Sequence, residues 1–175
     1  MRRLVFVLGM VLILAISGQV LAASLTLNNT PVEVYFSPNG GAQDAIVREI
    51  GKAKTSILVQ AYSFTSAPIA KALIEAKKRG VAIAAILDKS QRTEKYSGAT
   101  FLKNEGIPVM IDAGHAIAHD KVMVIDSETV ITGSFNFSKA AEEKNGENLL
   151  VIRSKDLAKI YSANWAEHKK HAETY

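Results

Sequence analysis

The 175-residue sequence contains no cysteine. This absence excludes disulfide bonds, a lipid-modified cysteine near the amino terminus and zinc sites built on thiolates. The sequence also lacks internal repeats, low-complexity tracts and obvious interdomain linkers. The sequence also has no large excess of charge of one sign, since it contains 21 basic and 17 acidic residues. That balance allows an anionic substrate but does not by itself indicate a nucleic-acid-binding protein.

A long apolar run lies at the amino terminus, from Leu4 to Ile16, directly after Arg2 and Arg3. Small residues follow it up to Ala23. This order is typical of a secretory signal peptide. A transmembrane anchor is the alternative, but an anchor needs roughly 20 consecutive apolar residues, and the polar segment at residues 17–19 interrupts this run.

We therefore predict a signal peptide over residues 1–22, cleaved near Ala22 or Ala23, and a secreted or periplasmic protein without a membrane anchor. Residues 23–175 then form a single domain, which is long enough for one sizeable core. Loss of Arg2 and Arg3 lowers the 21 basic residues to 19 against 17 acidic ones, a net charge of +2.

Apolar, β-branched segments alternate with segments of helical periodicity along the rest of the chain. We predict strands at residues 33–36, 55–64, 81–87, 107–111, 119–126, 129–134 and 148–152. Helices are predicted at residues 45–54, 66–79, 99–105 and 138–144, and from residue 155 onward. This alternation indicates an α/β fold with a mixed, partly parallel β-sheet flanked by helices on both faces.

The stretch HDKVMVIDSETVITGSFNFS, at residues 119–138, carries polar side chains that a packed strand pair does not require. Because side chains alternate across a strand, His119 and Lys121 project from one face, and Ser134 shares a face with Asn136. A phosphate group is the ligand that such a set would bind at a sheet edge, since the set combines an imidazole, an ammonium, a hydroxyl and an amide. Gly133 suits close approach of a ligand to the backbone. The alternative is an ordinary hairpin with polar residues on its solvent face.

The spacing of these residues resembles the HKD motif of the phospholipase D superfamily. Every position of the long form of that motif is present, namely His119, Lys121, Asp126, Gly133, Ser134 and Asn136. The segments at residues 61–81 and 119–152 and the terminal helix resemble the small secreted Nuc-type endonucleases of that superfamily. The likeness spans nearly the whole of residues 23–175 and implies one phospholipase D-like catalytic domain.

The resemblance implies a role for each polar residue. His119 is the nucleophile that attacks phosphorus and forms a phosphohistidine. Lys121 and Asn136 bind the non-bridging oxygens, and Ser134 supports them. Glu147, in NGENLLVI, matches the acidic residue that orients the histidine through its other ring nitrogen. Such a residue is needed because only one tautomer presents a lone pair to phosphorus.

Asp126 matches a residue that holds the hairpin turn rather than one that contacts substrate. It lies seven residues from His119, and therefore on the opposite side of the strand. Larger superfamily members carry two HKD motifs, whereas this chain carries one, so the resemblance implies a homodimer. A second His119 across a twofold axis would donate a proton to the leaving oxygen and later activate water. No metal or other cofactor is required, because Lys121 and its dimer mate supply the positive charge.

Three further histidines lie outside the motif. His115 falls in a predicted loop and is interpreted as a residue at the rim of the cleft, with a metal ligand as the alternative. His168 and His171 stand beside Lys169 and Lys170. They are interpreted as a solvated basic helix end, with weak phosphate contact as the alternative.

Lys89, Arg92, Lys95 and Tyr96 form a candidate groove in the loop that follows a predicted strand. Sheets of α/β proteins place ligands at such strand ends. The basic side chains would border a polynucleotide backbone, and Tyr96 would stack on a base. Ordinary solvation of the loop is the alternative.

These observations give one leading function and two alternatives. The leading hypothesis is a metal-independent phosphodiesterase that cleaves DNA, and RNA as a further substrate, with little sequence preference, since phosphate contacts carry no base information. The first alternative applies the same chemistry to phospholipid headgroups. The second is an inactive nucleic-acid-binding module, which the intact His119, Lys121, Asn136 and Glu147 disfavour.

Overall fold

The computed structural model describes residues 23–94 and 97–175. The predicted signal peptide, Lys95 and Tyr96 lie outside the described residues. Within these two ranges, no helix is both long enough and apolar enough to cross a membrane.

An eight-stranded sheet runs through the described part of the chain, in the order β1-β7-β6-β5-β2-β3-β4-β8. Strands β2, β3 and β4 are parallel to one another, and the other neighbours pair antiparallel. The prediction of a mixed, partly parallel sheet is therefore confirmed. The strands are β1 (Val32–Ser37), β2 (Ser56–Ala61), β3 (Ala82–Asp88), β4 (Val109–Asp112), β5 (Lys121–Ile125), β6 (Thr129–Gly133), β7 (Glu147–Arg153) and β8 (Glu173–Thr174).

Serine caps begin several of the helices. The Ser66 hydroxyl accepts a hydrogen bond from the Ile69 N–H at 3.4 Å, and the Ser154 hydroxyl accepts one from the Leu157 N–H at 3.2 Å. Each cap satisfies a backbone donor that the first helical turn leaves without an intrahelical partner. The helices are α1 (Ala42–Lys52), α2 (Ala67–Lys78), α3 (Gly98–Asn104), α4 (Lys139–Glu143) and α5 (Lys155–His171), and a 3₁₀ turn spans Lys89–Arg92.

The sheet is covered on both faces, as predicted. Ile46 of α1, Leu73 of α2 and Leu102 of α3 are fully buried in the larger core, on one face. Ala158 of α5 packs with the second apolar cluster on the other face, together with Val122, Val124 and Val130. Each fully buried Leu or Ile side chain stabilises the fold by about 1.5–3 kcal/mol.

The ends of the predicted elements shift by up to three residues, and the largest differences from the sequence-based expectation concern β2 and β8. Strand β2 ends at Ala61 rather than at residue 64, because the chain bends at Tyr62 and Phe64 pairs with Phe137 in an isolated bridge instead. Strand β8 was not predicted, since two residues carry no periodicity. It pairs antiparallel with β4, so that Glu173 lies opposite Ile111.

The turn between β5 and β6 is held by Asp126, whose φ is 54°. Its carboxylate accepts hydrogen bonds from the N–H groups of Lys54 (2.9 Å), Thr55 (2.7 Å) and Ser56 (3.0 Å) and from the Thr55 hydroxyl (2.8 Å). Burial opposes ionisation of this carboxyl, but the hydrogen bonds outweigh it and lower the pKa of Asp126. The residue joins the hairpin to the start of β2 and lies away from the polar residues at the other end of the strand pair.

Replacing Asp126 with Asn should lower the free energy of unfolding by about 1–3 kcal/mol at pH 7, because a charged acceptor of several hydrogen bonds is lost. Asn tolerates the positive φ, so backbone strain does not contribute. The folded-state pKa lies below the unfolded value, so the wild-type advantage is present above about pH 4. It should shrink as the pH falls through the folded pKa. Urea unfolding across pH measures both effects.

Glu128→Ala is the matched control, because Glu128 lies in the same turn and its ion pair with Lys155 is exposed. Such pairs contribute about 0–1 kcal/mol. Equal losses in Asp126→Asn and Glu128→Ala would contradict the assigned role of Asp126.

Candidate active site

His119 lies two residues before the start of β5, at the edge of the sheet where the parallel strands end. Its side chain is exposed, and its ring lies against Tyr62, with 4.5 Å between ring centroids and 51° between ring planes. The backbone bond from Tyr62 to Asp120 fixes the main chain on either side of this contact. The imidazole is thus supported on one side by an aromatic ring and open to solvent on the other.

Lys121 is 7% exposed. Its Nζ donates to the His119 carbonyl at 2.7 Å and lies 5.1 Å from the centroid of the Tyr62 ring. Burial lowers the pKa of Lys121, and the charges of Asp120 and Glu147 offset part of that effect. Among the described residues this is the one hydrogen bond that the ammonium makes, so two of its three donors can bind an anion.

Gly133 ends β6 and Ser134 follows it, both beside Asn148 of β7. Gly133 has a φ of 145°, and a Cβ atom there would lie 2.3 Å from the Asn148 carbonyl oxygen. Approach of the neighbouring strand thus requires glycine at this position, whereas the sequence analysis attributed Gly133 to approach of a ligand. The Ser134 hydroxyl accepts from the Asn148 N–H at 3.0 Å and from its Nδ2 at 3.3 Å. It keeps its own proton for donation.

Asn136 lies between Phe135 and Phe137, which are both fully buried and anchor this segment in the core. Its Oδ1 is buried and, within residues 23–94 and 97–175, is the one buried side-chain polar atom without a hydrogen-bond partner. Leaving such an atom unpaired costs about 1–3 kcal/mol. Buried polar atoms are normally paired, and Oδ1 accepts hydrogen bonds, so the group that would pair with it is a donor. A phosphate oxygen would instead accept a hydrogen bond from Nδ2 of the same amide.

Glu147 is the first residue of β7, and its N–H donates to the Ser37 hydroxyl at 3.2 Å. Its carboxylate accepts from Asn145 Nδ2 at 3.2 Å, and its charge acts on Lys121. No hydrogen bond joins Glu147 to His119 in the described part of the chain. The structure therefore brings Glu147 to the edge of the site with Asn145, rather than His119, as its hydrogen-bond partner.

The candidate groove begins in the 3₁₀ turn after β3. Lys89 donates through Nζ to the His115 carbonyl at 3.0 Å, and Arg92 forms an ion pair with Glu173 of β8. Both basic side chains lie at the strand-end edge, engaged with neighbouring residues. Lys95 and Tyr96 lie outside the described residues.

Sequence reasoning missed Asp88 and Tyr62. Asp88 ends β3 and is buried, and its carboxylate accepts from the Ala118 N–H at 2.8 Å, directly before His119. Burial opposes ionisation, but hydrogen bonds from Ser90 and Ala118 outweigh it and lower the pKa of Asp88. Tyr62, which the sequence analysis did not single out, contacts His119 and Lys121. Asp88 ends a parallel strand and Tyr62 follows one. Ligands of α/β sheets bind at these strand ends, so this position in the sequence could have identified both residues.

A second polar cluster lies at the same edge of the sheet. Asp112, at the end of β4, is fully buried and faces three histidines, His115, His168 and His171. Burial opposes ionisation of Asp112, but hydrogen bonds from His168, His115 and His171 lower its pKa to about 2. The expectation of a solvated helix end is wrong for His168, whose side chain is 13% exposed. The spacings Asp112-x-x-His115 and His168-x-x-His171 are visible in the sequence, but their proximity is not.

Comparison with known proteins places the chain in a family. Residues 46–169 match the family described as cardiolipin synthase, PLD-like domain. A phospholipase D of Rickettsia conorii is 42% identical over 143 residues, which cover 82% of this chain and 72% of that protein. A mitochondrial cardiolipin hydrolase of Xenopus tropicalis is 27% identical over 121 residues, covering 67% of this chain and 58% of that protein.

Solved structures agree with this placement. Nuc from Salmonella typhimurium, a phospholipase D family member, superposes with a TM-score of 0.80 at 43% identity, covering 83% of this chain and 98% of that chain. NucT from Helicobacter pylori superposes with a TM-score of 0.76 at 24% identity, covering 83% of this chain and 99% of that chain, and supports the fold alone. With the family match and the fold in agreement, the chain belongs to the phospholipase D superfamily and is a phosphodiesterase of the Nuc type.

Proposed function

We propose that this protein is a metal-independent endonuclease that hydrolyses DNA, and RNA as a further substrate, through a phosphohistidine. The observation that carries the proposal is the exposed His119 imidazole beside the buried Lys121 ammonium, with the Asn136 amide three residues past the end of β6. The Nδ2 of that amide is the atom that can donate to a phosphate oxygen. A nucleophile, a fixed positive charge and buried polar groups are the components that phosphoryl transfer needs. Likeness to Nuc along 98% of that chain supports a nucleic acid substrate.

In the first step, a ring nitrogen of His119 attacks phosphorus while the bond from phosphorus to the leaving oxygen breaks. Lys121, Asn136 and Ser134 bind the non-bridging oxygens, on which negative charge is concentrated. Glu147 is proposed to orient the imidazole, which requires its carboxylate to exchange Asn145 for His119 when substrate binds. The leaving oxygen must receive a proton, and His119 cannot supply one while it acts as the nucleophile.

The partner's His119 is the proposed proton donor. It gives its proton to the leaving oxygen, becomes neutral, and then removes a proton from water. The resulting hydroxide attacks phosphorus and breaks the bond between phosphorus and nitrogen, which regenerates His119. Two chains thus complete one site across a twofold axis.

The surface proposed to bind the second copy lies on edge strand β1. Val32, Val34 and Phe36 are 44%, 52% and 66% exposed, and they alternate along one face of the strand. Phe36 lies opposite Asn148, next to the pair formed by Ser37 and Glu147. This apolar surface therefore adjoins the candidate site, as an interface that completes the site must.

Phospholipid headgroups are the second candidate substrate. Relatives named phospholipase D and mitochondrial cardiolipin hydrolase favour it. The same residues would act in the same roles, because the site binds the phosphodiester rather than the groups attached to it.

Export through the predicted signal peptide would place either activity outside the cytoplasm. Amino-terminal sequencing of the secreted protein checks for cleavage near Ala22 or Ala23.

His119→Ala should reduce turnover by at least about 1,000-fold, because the covalent step is lost, while the melting temperature stays near that of the wild type. The measurement is cleavage of single- and double-stranded DNA, and of RNA, beside headgroup release from phosphatidylcholine and cardiolipin vesicles. DNA cleavage that depends on His119 supports the proposal. Headgroup release without nucleic acid cleavage would select the lipid substrate, and near-normal activity of His119→Ala would refute the mechanism.

Excess chelator should leave turnover at 25 °C unchanged, since Lys121 supplies the positive charge. Lys121→Ala should lower turnover by about 100-fold or more, and Lys159→Ala, an exposed lysine on α5, is its matched control. Activity that vanishes in chelator and returns with added metal would contradict the proposed chemistry.

Phe36→Asp should convert a dimer into a monomer and lower turnover by about 100-fold or more, because the proton donor is then missing. Phe101→Asp is the control, since Phe101 is 48% exposed on α3 and lies outside the proposed interface. Light scattering combined with the DNA assay measures both properties. A fully active Phe36→Asp monomer would contradict the proposal that the partner's His119 donates the proton.

A further inference from the structure

We propose that Asp112, His115, His168 and His171 bind one Zn²⁺ ion, which fastens the end of α5 to the segment that leads to His119. The site is separate from the phosphate-binding residues, and nothing in the proposed hydrolysis requires it. It joins the last residue of β4, the loop that follows and the last turn of α5.

The four side chains already converge on one point. One ligand atom from each lies within 4.8 Å of all the others. The Asp112 carboxylate is 2.7 Å from His168 Nδ1, 3.0 Å from His115 Nδ1 and 3.2 Å from His171 Nε2. In a tetrahedral zinc site with bonds of about 2.0–2.1 Å, neighbouring ligand atoms are about 3.3 Å apart. Small side-chain rotations would therefore complete the coordination.

The donor set selects the class of metal. Three imidazole nitrogens and one carboxylate oxygen suit zinc and the neighbouring transition metals. Magnesium and calcium prefer oxygen ligands throughout and are disfavoured here. Four protein ligands fill a tetrahedral shell, which is typical of a structural site rather than of a catalytic one.

The surroundings of the cluster support a built site. The Gly114 N–H donates to Asp112 Oδ1 at 3.0 Å, which fixes the orientation of the carboxylate. A Cβ atom at Gly114 would lie 2.7 Å from Cδ2 of the His171 ring, so the absence of a side chain there admits the imidazole. His115 stacks on His168 with 4.8 Å between ring centroids, and both are held within reach of the same carboxylate.

The proposed ion would act on the catalytic segment through the backbone. Lys89 donates to the His115 carbonyl at 3.0 Å, and Asp88 accepts from the Ala118 N–H at 2.8 Å. The segment between Asp112 and Ala118 is therefore held at both ends, and His119 follows directly. A metal at its first end would lower the local mobility of this segment and raise the stability of the contact with α5.

The test compares zinc binding and thermal stability in purified protein that chelator has freed of metal. Isothermal titration with zinc chloride should show one ion per chain. At a free zinc concentration about 1,000 times Kd, the melting temperature should rise by on the order of 10 °C. Co²⁺ in place of zinc should give the visible absorption of tetrahedral coordination.

His171→Ala and Asp112→Asn should abolish stoichiometric binding and the stabilisation by zinc. His119→Ala is the matched control, because it removes the one histidine outside the cluster and should leave both unchanged. His171 is 40% exposed, so its replacement leaves the core intact. No stoichiometric binding in wild type, or binding and stabilisation that persist in His171→Ala, would overturn the proposal in favour of a hydrogen-bonded cluster without metal.

Discussion

A buried ammonium at the end of a central strand constrains the whole candidate site. Removing a charge from water costs several kcal/mol unless surrounding groups offset it. The His119 carbonyl and the Tyr62 ring contact the Lys121 ammonium, and Asp120 and Glu147 act on it electrostatically. These groups come from the segment before β5, from β7 and from the segment after β2, so the environment of the charge depends on how these strands are arranged in the sheet. Asp120 and Glu147 offset only part of the effect of burial on the Lys121 ammonium. The negative charge of a bound phosphate would stabilise the ammonium further.

The architecture was predictable because its signals are local. Alternating and continuous apolar segments marked the strands, and Ser66 before an apolar periodic run marked the start of α2. These signals gave the α/β class, the mixed sheet and the helices on both faces. They could not give β8, since two residues are too few to show a periodic pattern. They also could not give the early end of β2, where the chain bends and Phe64 pairs with the distant Phe137.

The part of the candidate site that lies within one short segment of the chain could be predicted from the sequence. His119 and Lys121 on one strand and Ser134 and Asn136 on its partner follow from strand alternation and a short turn. Contacts between elements that are distant in sequence could not be predicted from these local patterns. Asp88 lies opposite Asp112 only through the parallel register of β3 and β4, and His168 reaches Asp112 only because α5 returns across the sheet. The need for glycine at 133 likewise arises from β7 and not from its own strand.

The two-residue strand β8 changes how the sheet can associate. Its pairing with β4, extended by the bond from the Tyr175 N–H to the Val109 carbonyl at 3.0 Å, occupies backbone groups that β4 would otherwise present at the rim of the sheet. Uncovered strand rims are templates for uncontrolled pairing with other chains. With β4 paired, the strand left at that end of the sheet is β8, whose two residues offer a far shorter template than β4 would. The longer edge strand of the sheet is β1, at the opposite end.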